Sequence, residues 1–279
     1  MPELPEVETT CQGLARALTG LRIKAAHVHR PDLRFPLPDN LSARLRGRRV
    51  LKVERRAKYI LIHLDRGETL VFHLGMSGRM VMARGHAKAG LHDHLVFEFS
   101  NGAVLRFNDP RRFGVCDLIA DEALSNHKLF RHLGVEPLGR ALSKAVLEAK
   151  FRAKKTALKV ALLDQRLIVG IGNIYASEAL YRAGIHPARP AGTVSSEEIA
   201  RLVPAIKKVL QTAIAAGGSS LRDYVQADGE LGHFQKRFAV YDREGTVCPD
   251  CRRAGRQKPC VRRLAQAGRS TFFCAVTQK

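Results

Sequence analysis

The sequence has no run of eighteen apolar residues and no signal-peptide pattern at its start. The first absence excludes a membrane-spanning helix, which needs about 20 such residues, and the second gives no indication of export. We therefore predict a soluble, cytoplasmic protein without a membrane partner. Hydrophobic residues still make up 45% of the 279 positions. That content excludes a disordered tail and allows one large or two ordinary domains, each with a core.

Acidic residues are scarce. They number 26 against 47 lysines and arginines, which gives a formal net charge of +21. An excess of this size predicts a polyanionic partner, with nucleic acid ahead of a membrane surface. A ribosomal protein or a merely basic protein has the same signature, so charge alone leaves the function open.

Cysteine is rare outside one segment. Of the six cysteines, Cys11 and Cys116 stand alone, and the other four follow residue 247. In a cytosolic chain such clustering favours a metal site over disulfide bonds.

The patterns in the first half of the chain predict one helix followed by strands. Apolar residues at helical spacing indicate a helix over residues 5–19. Strand patterns run from residue 22 to about 119, with turn signals at Asp65-Arg66-Gly67 and Asn101-Gly102. We predict an N-terminal antiparallel β-sandwich with a leading helix, within an α+β fold.

The second half shows helical patterns. One helix is predicted over residues 154–164, a second from Asn173 as its N-cap, and a third from Ser195, where Glu198 completes a capping box. Residues 238–279 are basic, bear cysteines and are too few to hold a core unaided. The predicted domains are 1–120, 121–237 and 238–279.

The N-terminal hexapeptide Met1-Pro2-Glu3-Leu4-Pro5-Glu6 is chemically unusual. Removal of methionine before the small Pro2 leaves a secondary amine, and an α-amino group titrates at about 7.7–8.0. Such an amine can attack an aldehyde-like carbon and form an iminium. Glu3 and Glu6 lie close enough in sequence to serve as general acid/base and electrostatic partner. Alternatively, the prolines merely start a helix, and the hexapeptide alone leaves both interpretations open.

Five sequence motifs occur in the order and spacing of one known family: MPELPEVET, RRAKYILIHL, HLGMSG, SNG followed by RFNDPRRFG, and VGIGNIYASEALYRAGIHP. On these motifs the chain resembles the bacterial formamidopyrimidine-DNA glycosylases, also called 8-oxoguanine DNA glycosylases, from Met1 to about Cys274. The resemblance implies a helical helix-two-turn-helix domain after the sandwich and a C-terminal zinc-finger-like β-hairpin. The implied function is base-excision repair of oxidised purines in damaged double-stranded DNA, by a monomer in the bacterial cytoplasm at the nucleoid.

The resemblance implies catalytic roles for Pro2, Glu3, Lys58 and Arg269. Pro2 forms a Schiff base with deoxyribose, Glu3 moves protons at the sugar ring with support from Glu6, and β,δ-elimination cuts the strand. Lys58 approaches the DNA backbone at the lesion, and Arg269 holds the lesion phosphate. On the residues alone, Lys58 fits a solvated strand end equally well, and Arg269 fits one more surface arginine.

The resemblance also implies that six residues contact DNA: His92, Arg111, Lys154, Asn173, Met76 and Phe113. An enzyme that attacks the sugar carbon of a base must flip the nucleotide out of the duplex and fill the gap. Met76, Arg111 and Phe113 match the family's void-filling residues, and residues 217–234 match the loop that closes over the extruded base. Without the resemblance, Met76 and Phe113 fit core residues, Arg111 an ion pair with Asp109, and His92 an ordinary strand-end histidine.

The cysteine cluster departs from the family, which ends in two Cys-x-x-Cys pairs that bind zinc. Cys248 and Cys251 form the first pair and Cys274 begins the second, but Thr277 occupies the last ligand position. The interval before Cys274 is longer than usual and contains Cys260. If Ala265-Gln266-Ala267-Gly268 forms the hairpin turn, Cys260 lies directly opposite Cys274. We therefore predict one structural zinc ion on Cys248, Cys251, Cys260 and Cys274, with a weakened three-cysteine site or no metal as alternatives.

The sequence is also compatible with three other interpretations. The endonuclease VIII type of the same family removes oxidised pyrimidines, but typically has glycine where Leu4 stands here. A non-catalytic nucleic-acid-binding protein fits the charge, but not the presence of Pro2, Glu3 and Lys58. The altered C-terminus also fits a catalytically impaired family member.

Overall fold

The computed structural model describes residues 1–85, 89–220 and 224–279. Part of the predicted base-closing loop, residues 221–223, therefore lies outside the described residues. The chain forms two compact units: one contains Met1–Arg131 and Ile214–Gln235, the other His132–Ala213 and Lys236–Lys279. The finer three-domain division stays a prediction. Among the described residues, no helix is both long and apolar enough to cross a bilayer.

The first unit is the predicted antiparallel β-sandwich with a leading helix. Its elements are α1 (Leu4–Leu18), β1 (Ile23–Val28), α2 (Leu41–Leu45), β2 (Val50–Arg56), β3 (Tyr59–Leu64), β4 (Glu68–His73), β5 (Arg79–Arg84), β6 (Asp93–Phe99), β7 (Ala103–Asn108) and β8 (Val115–Ala120). The strands form two four-stranded sheets, ordered β1-β6-β7-β5 and β2-β3-β4-β8. Every named strand pair in them is antiparallel.

Aromatic rings from both sheets meet in the core of the sandwich. The ring of Phe72 on β4 lies 5.3 Å from that of Phe107 on β7 and 6.1 Å from that of Phe97 on β6. All three side chains are almost completely buried, which is what two sheets packed face to face require. Both predicted turns are present, since residues 65–67 join β3 to β4 and residues 100–102 join β6 to β7.

The second unit is helical and ends in a β-hairpin. Its elements are α3 (Lys144–Phe151), α4 (Leu158–Leu163), α5 (Asn173–Ala183), α6 (Ser196–Ala215, whose last two residues fall in the first unit), α7 (Pro249–Arg253), β9 (Val261–Gln266) and β10 (Arg269–Cys274). The capping box of α6 is confirmed: the Glu198 N–H donates to Ser195 Oγ at 3.2 Å, and the Ser195 N–H donates to Glu198 Oε2 at 2.8 Å.

Two helix starts differ from the prediction. The first of them is at Leu158, not at residue 154. The carbonyls of Lys154 and Thr156 accept from Gly192 and Ala191 instead, so the backbone before Leu158 pairs with another segment. The second of them is the start of α5, which has Gly172 as its N-cap and Asn173 as its first residue. Asn173 does not cap this helix because its side chain binds Lys159 and the Ser270 carbonyl.

The hairpin register is also shifted from the prediction. Ala267 and Gly268 form its turn with φ angles of 47° and 72°, so Cys274 lies opposite Val261 and not opposite Cys260. The N–H groups of Cys260 and Val261 both donate to the Thr246 carbonyl at 3.0 Å. Thr246 and Cys260 lie outside the named strands, so these two bonds tie the start of the hairpin to the segment that precedes Cys248. The Cys260 sulfur lies with the other three sulfurs despite the shifted register.

Candidate active site and metal centre

The N-terminus lies at the start of α1 beside two buried carboxylates. Glu3 is the N-cap of the helix, and Glu3 and Glu6 form a capping box, with the Glu3 N–H donating to Glu6 Oε2 at 2.9 Å. Glu3 is 3% exposed and Glu6 is 2% exposed. Pro2 is buried, whereas Met1 is exposed. Both carboxylates predicted to act with Pro2 are thus held at the end of the helix where Pro2 lies.

Glu6 also ties a distant loop to this helix. Its second oxygen, Oε1, accepts from the Ser219 N–H at 2.8 Å. Gly218 has a φ of +81°, and a Cβ there would lie 3.1 Å from Glu6 Oε1 and 3.2 Å from the Tyr224 ring. Burial and the Glu6 carboxylate raise the pKa of the Tyr224 hydroxyl. The loop that resembles the family's base-closing loop therefore begins against the Glu6 carboxylate.

Lys58 is buried in the two-residue turn between β2 and β3. Arg56 pairs with Tyr59 across this turn, and Ala57 has a φ of 56°. Arg55 donates to Glu8 of α1 at 2.8 Å and to the Ala57 carbonyl at 2.9 Å, which ties the turn to the helix. Only 6% of Lys58 is exposed, so the interpretation of Lys58 as a solvated strand end is wrong.

His73, at the end of β4, is a site residue that the sequence analysis missed. Its Nδ1 accepts from the Gly75 N–H at 3.0 Å, so the ring hydrogen is on Nε2. Burial lowers the pKa of His73 to about 4, with further lowering by the positive charges of Lys58 and Arg34. The result is a neutral imidazole donor beside two cations, a combination suited to a phosphate oxygen. The signal was present, since His73 begins the HLGMSG motif.

Met76, Arg111 and Phe113 are brought together by two interlocked loops. A Cβ on Gly75 would lie 2.4 Å from the Phe113 carbonyl carbon, so only glycine permits this approach. The Arg111 guanidinium carbon lies 4.9 Å from the centre of the Phe113 ring. Met76 is 38% exposed and Phe113 is 46% exposed. Both apolar side chains are therefore surface residues, and their interpretation as core residues is wrong.

Asp109 fixes these two loops without an ion pair to Arg111. Its Oδ1 accepts from Ser77 Oγ at 2.6 Å, and its Oδ2 accepts from the Gly114 N–H at 2.7 Å. The Arg111 N–H donates to Ser77 Oγ at 3.2 Å. Asp109 is fully buried. Its two oxygens bind Ser77 and Gly114, and the Arg111 side chain packs on the Phe113 ring instead.

His92 lies directly before β6 and has a left-handed backbone conformation. Its φ is 70°, and its carbonyl accepts from the Asp109 N–H at 3.0 Å. Positive φ angles are uncommon for residues other than glycine, although histidine adopts them more often than most. His92 is half-buried next to the segment that carries Arg111.

A second missed residue, Lys159 on α4, organises the DNA-contact candidates of the second unit. Lys159 is fully buried. Its Nζ donates to Asn173 Oδ1, to the Ser270 carbonyl at 3.1 Å and to Thr271 Oγ1 at 2.7 Å. Asn173 Nδ2 also donates to the Ser270 carbonyl at 2.9 Å. Asn173 is therefore bound to the strand that starts with Arg269, which is why it does not cap its own helix.

Arg269 and Lys154 occupy more open positions in this unit. Arg269 is exposed and pairs with Gln266 where the hairpin returns, the place predicted for it. Lys154 is half-buried in the segment between α3 and α4.

Glu178 on α5 is a third residue that the sequence patterns did not indicate. It binds the backbone of the segment that leads to the cysteine cluster. Its carboxylate accepts N–H bonds from Ala239 at 3.0 Å, from Val240 at 3.0 Å and from Tyr241 at 2.9 Å. Burial raises the pKa of Glu178, against the lowering effect of these three bonds. A single carboxyl group that accepts from three backbone donors fixes the chain just before the cysteine cluster.

Cys248, Cys251, Cys260 and Cys274 form one buried cluster. Their sulfur atoms all lie within 4.8 Å of one another. Cys274 Sγ lies 3.5 Å from Cys248 Sγ and 3.7 Å from Cys251 Sγ. Zn–S bonds of about 2.3 Å in a tetrahedron separate the sulfurs by about 3.8 Å, so the four thiols fit such an ion. The cluster is complete without Thr277, which is half-buried.

Comparisons with known proteins cover nearly the whole chain. Residues 1–116 match the formamidopyrimidine-DNA glycosylase N-terminal domain, and residues 133–225 match the formamidopyrimidine-DNA glycosylase H2TH domain. The formamidopyrimidine-DNA glycosylase of Ruegeria sp. (strain TM1040) is 52% identical over 287 residues, which cover 100% of both chains. The chain belongs to the formamidopyrimidine-DNA glycosylase family. As a member of this family it is an enzyme of the predicted class, and its predicted fold is confirmed.

Solved structures of other formamidopyrimidine-DNA glycosylases have the same fold. The MutM (Fpg) protein from Thermus thermophilus has a TM-score of 0.86 and 40% identity, covering 99% of this chain and 98% of that one. A Lactococcus lactis Fpg mutant in complex with Fapy-dG-containing DNA has a TM-score of 0.90 and 32% identity, covering 100% of each chain. These likenesses support DNA as the partner of the present glycosylase.

Proposed function

We propose that this glycosylase removes oxidised purines, 8-oxoguanine and formamidopyrimidines, from duplex DNA and then cleaves the strand at the abasic site. The observation that carries this proposal is the N-terminus. Pro2 is buried and directly precedes Glu3, the N-cap of α1, which is joined to Glu6 in a capping box; loss of Met1 would leave its secondary amine at this end of the helix. A secondary amine can form an iminium with a sugar carbon.

In the proposed reaction, the Pro2 nitrogen bonds to the anomeric carbon of deoxyribose as the damaged base leaves. Glu3 supplies and removes protons at the sugar ring, while Glu6 holds the helix end through its bonds to Glu3 and Ser219. The resulting iminium makes the neighbouring sugar proton acidic. Its loss expels the 3′ phosphate by β-elimination, and a second loss expels the 5′ phosphate by δ-elimination.

Cations and neutral donors would hold the phosphates during this reaction. In the first unit these are Lys58 and the Nε2 hydrogen of His73, which lie close enough for the lysine charge to lower the histidine pKa. In the second unit they are Asn173, which binds Lys159, and Arg269, which directly precedes Ser270, whose carbonyl accepts from Lys159. Phosphate contacts of this kind position the duplex and carry no sequence information.

We further propose that Met76, Arg111 and Phe113 enter the space left by the extruded nucleotide. Exposed apolar side chains beside an arginine are suited to this, because the former replace stacking and the latter can hydrogen-bond the orphaned base. The contact of Arg111 with the Phe113 ring keeps the two side chains together. His92 and Lys154 are proposed as further DNA contacts.

The cysteine cluster is proposed to hold one structural zinc ion through Cys248, Cys251, Cys260 and Cys274. The Cys248 N–H donates to Cys260 Sγ at 3.1 Å, and the Cys251 N–H donates to Cys248 Sγ at 3.4 Å. Such N–H···S bonds stabilise thiolates, the form in which cysteine binds zinc. The ion would fix the hairpin and take no part in the chemistry.

Borohydride trapping tests the proposed chemistry. Reduction on a duplex with 8-oxoguanine opposite cytosine should cross-link the protein to DNA, and peptide mapping should place the adduct on Pro2. Pro2→Glu, which retains methionine in front of a large residue, should abolish the adduct, whereas Pro36→Glu, at an exposed position, should not. A non-catalytic binding protein or an impaired enzyme gives no adduct, and preference for an oxidised-pyrimidine duplex indicates the endonuclease VIII type.

A further inference from the structure

The chain has an unusually basic loop between two members of the cysteine cluster. Residues 252–259 separate Cys251 from Cys260 and include Arg252, Arg253, Arg256 and Lys258. All eight residues are exposed. Asp250 is the last acidic residue of the chain, so nothing in the loop neutralises these charges.

Most of these cations have no acidic partner. Arg253 pairs with Asp250, and Arg263 on the adjoining strand β9 pairs with Glu244 at 3.0 Å. Within the part of the chain that the structure describes, Arg252, Arg256 and Lys258 make no ion pair. Three exposed, unneutralised charges on one short loop form a strong local positive potential.

The loop is held at both ends. Its first residues continue α7, and the Arg256 N–H returns to the Cys251 carbonyl at 2.9 Å. At the other end the Cys260 N–H donates to the Thr246 carbonyl at 3.0 Å, and both cysteines belong to the sulfur cluster. Cys260, and not residue 277, is the fourth member of the cluster. The loop therefore begins and ends next to cysteines whose sulfurs lie together. The cationic side chains therefore extend from a loop whose two ends are fixed in position.

We propose that residues 252–259, named here the basic loop, bind the phosphate backbone of duplex DNA outside the lesion site. The inference rests on the proposed function only for the identity of the polyanion. Arginine suits phosphate because its guanidinium offers paired donors in a rigid plane. A membrane surface fits less well, since the loop has no large apolar side chain to insert among lipids. Contacts of this type add affinity without sequence preference.

The salt dependence of binding tests the proposal. The triple variant Arg252→Gln, Arg256→Gln, Lys258→Gln is compared with the intact chain on undamaged duplex of about 30 base pairs over a range of KCl concentrations. Each lost phosphate contact should reduce the slope of log K against log salt by about 0.9, and the affinity at about 0.15 M salt by about fivefold. The matched control is Lys24→Gln, Arg46→Gln, Arg49→Gln, which removes the same charge from exposed positions of the first unit.

The outcomes separate clearly. A reduced slope in the loop variant and an unchanged slope in the control support the basic loop as a DNA contact. Equal slopes in the loop variant and the intact chain overturn it, and so does an equal reduction in both variants, which would reflect net charge alone. Retention of bound metal and of the thermal midpoint shows that the variant is folded. Undamaged DNA requires no chemistry, so failure of borohydride trapping would not affect this result.

Discussion

At the residue scale, the charge state of several buried side chains follows from their partners. His73 is neutral because the Gly75 N–H occupies Nδ1 and because burial and two cations disfavour a second proton. Lys159 is the reverse case, a buried ammonium whose three donors each have an acceptor. A buried charge is tolerated when all of its hydrogen bonds are made.

His73 should make the protein less stable in mild acid. Its pKa is about 6.5 in the unfolded chain and about 4 in the folded one, so below pH 6.5 the unfolded state binds a proton that the folded state does not. Stability should fall by up to about 3 kcal/mol between about pH 7 and pH 4 from this group. In urea unfolding, His73→Asn should show a smaller loss over this range, while His29→Asn, at an exposed position, should keep it. Equal losses in His73→Asn and the intact chain would contradict the assignment.

Lys159→Met should destabilise the second unit. The change leaves the buried Thr271 Oγ1 and the partly buried Asn173 Oδ1 and Ser270 carbonyl without their ammonium donor, at a cost of about 1–3 kcal/mol. The urea midpoint should fall accordingly, and affinity for DNA should fall with it because Asn173 loses its anchor. Lys208→Met, on an exposed position of α6, should stay within about 0.5 kcal/mol. A similar effect of both changes would argue against the network.

At the element scale, the N-terminus of α1 is the anchor of the proposed catalytic site. Both oxygens of Glu6 accept backbone N–H bonds, one from its own helix and one from Ser219. The same carboxylate thus aligns the first turn of the helix and the start of the loop at 217–234. A change in that loop should therefore alter the positions of Glu3 and Pro2.

Gly218→Ala should impair catalysis more than Gly229→Ala. Both glycines have positive φ angles, +81° and +91°, so both changes carry backbone strain. Only at Gly218 would the new methyl group contact Glu6 and Tyr224, because nothing lies within 4 Å of a Cβ at Gly229. Single-turnover excision of 8-oxoguanine should slow by tenfold or more in Gly218→Ala alone. Equal slowing would mean that strain, not displacement of Glu6, is responsible.

Sequence patterns located most elements but not every boundary. The capping box at Ser195 and the turns at 65–67 and 100–102 were predictable because each depends on residues adjacent in sequence. The start of α4 and the cap of α5 were not, because the backbone near Lys154 pairs with residues 191–192 and the Asn173 side chain binds Ser270. Those partners are distant in sequence and enter only on folding.

At the scale of the whole molecule, the cysteine cluster compensates for a small C-terminal segment. Residues 238–279 are too short a segment to bury a large core of their own, and the four cysteines are part of the buried cluster that also includes Tyr181, Val240 and Phe272. A metal ion would cross-link α7, the basic loop and the hairpin in a segment too short to form its own core.

Metal analysis of the purified protein should therefore find one zinc per chain. Cys260→Ser should lower this content and the thermal midpoint, because a three-sulfur site binds zinc more weakly than a complete tetrahedron. Cys11→Ala, a buried cysteine outside the cluster, should leave zinc unchanged. Full zinc content in Cys260→Ser would remove this residue from the site.

The sequence by itself determined the family, the order of elements and the identity of the amine, carboxylates and thiols, because motifs and periodicity depend on residues close in the chain. The tertiary structure alone decided the roles of His73, Lys159 and Glu178, since each depends on distant partners. It also decided how Cys260 joins Cys274: the hairpin turn at 267–268 shifts the register by one residue, and the bonds from the Cys260 and Val261 N–H groups to the Thr246 carbonyl fix the backbone that carries Cys260. These backbone hydrogen bonds link separate segments of the chain, which residue types alone do not specify.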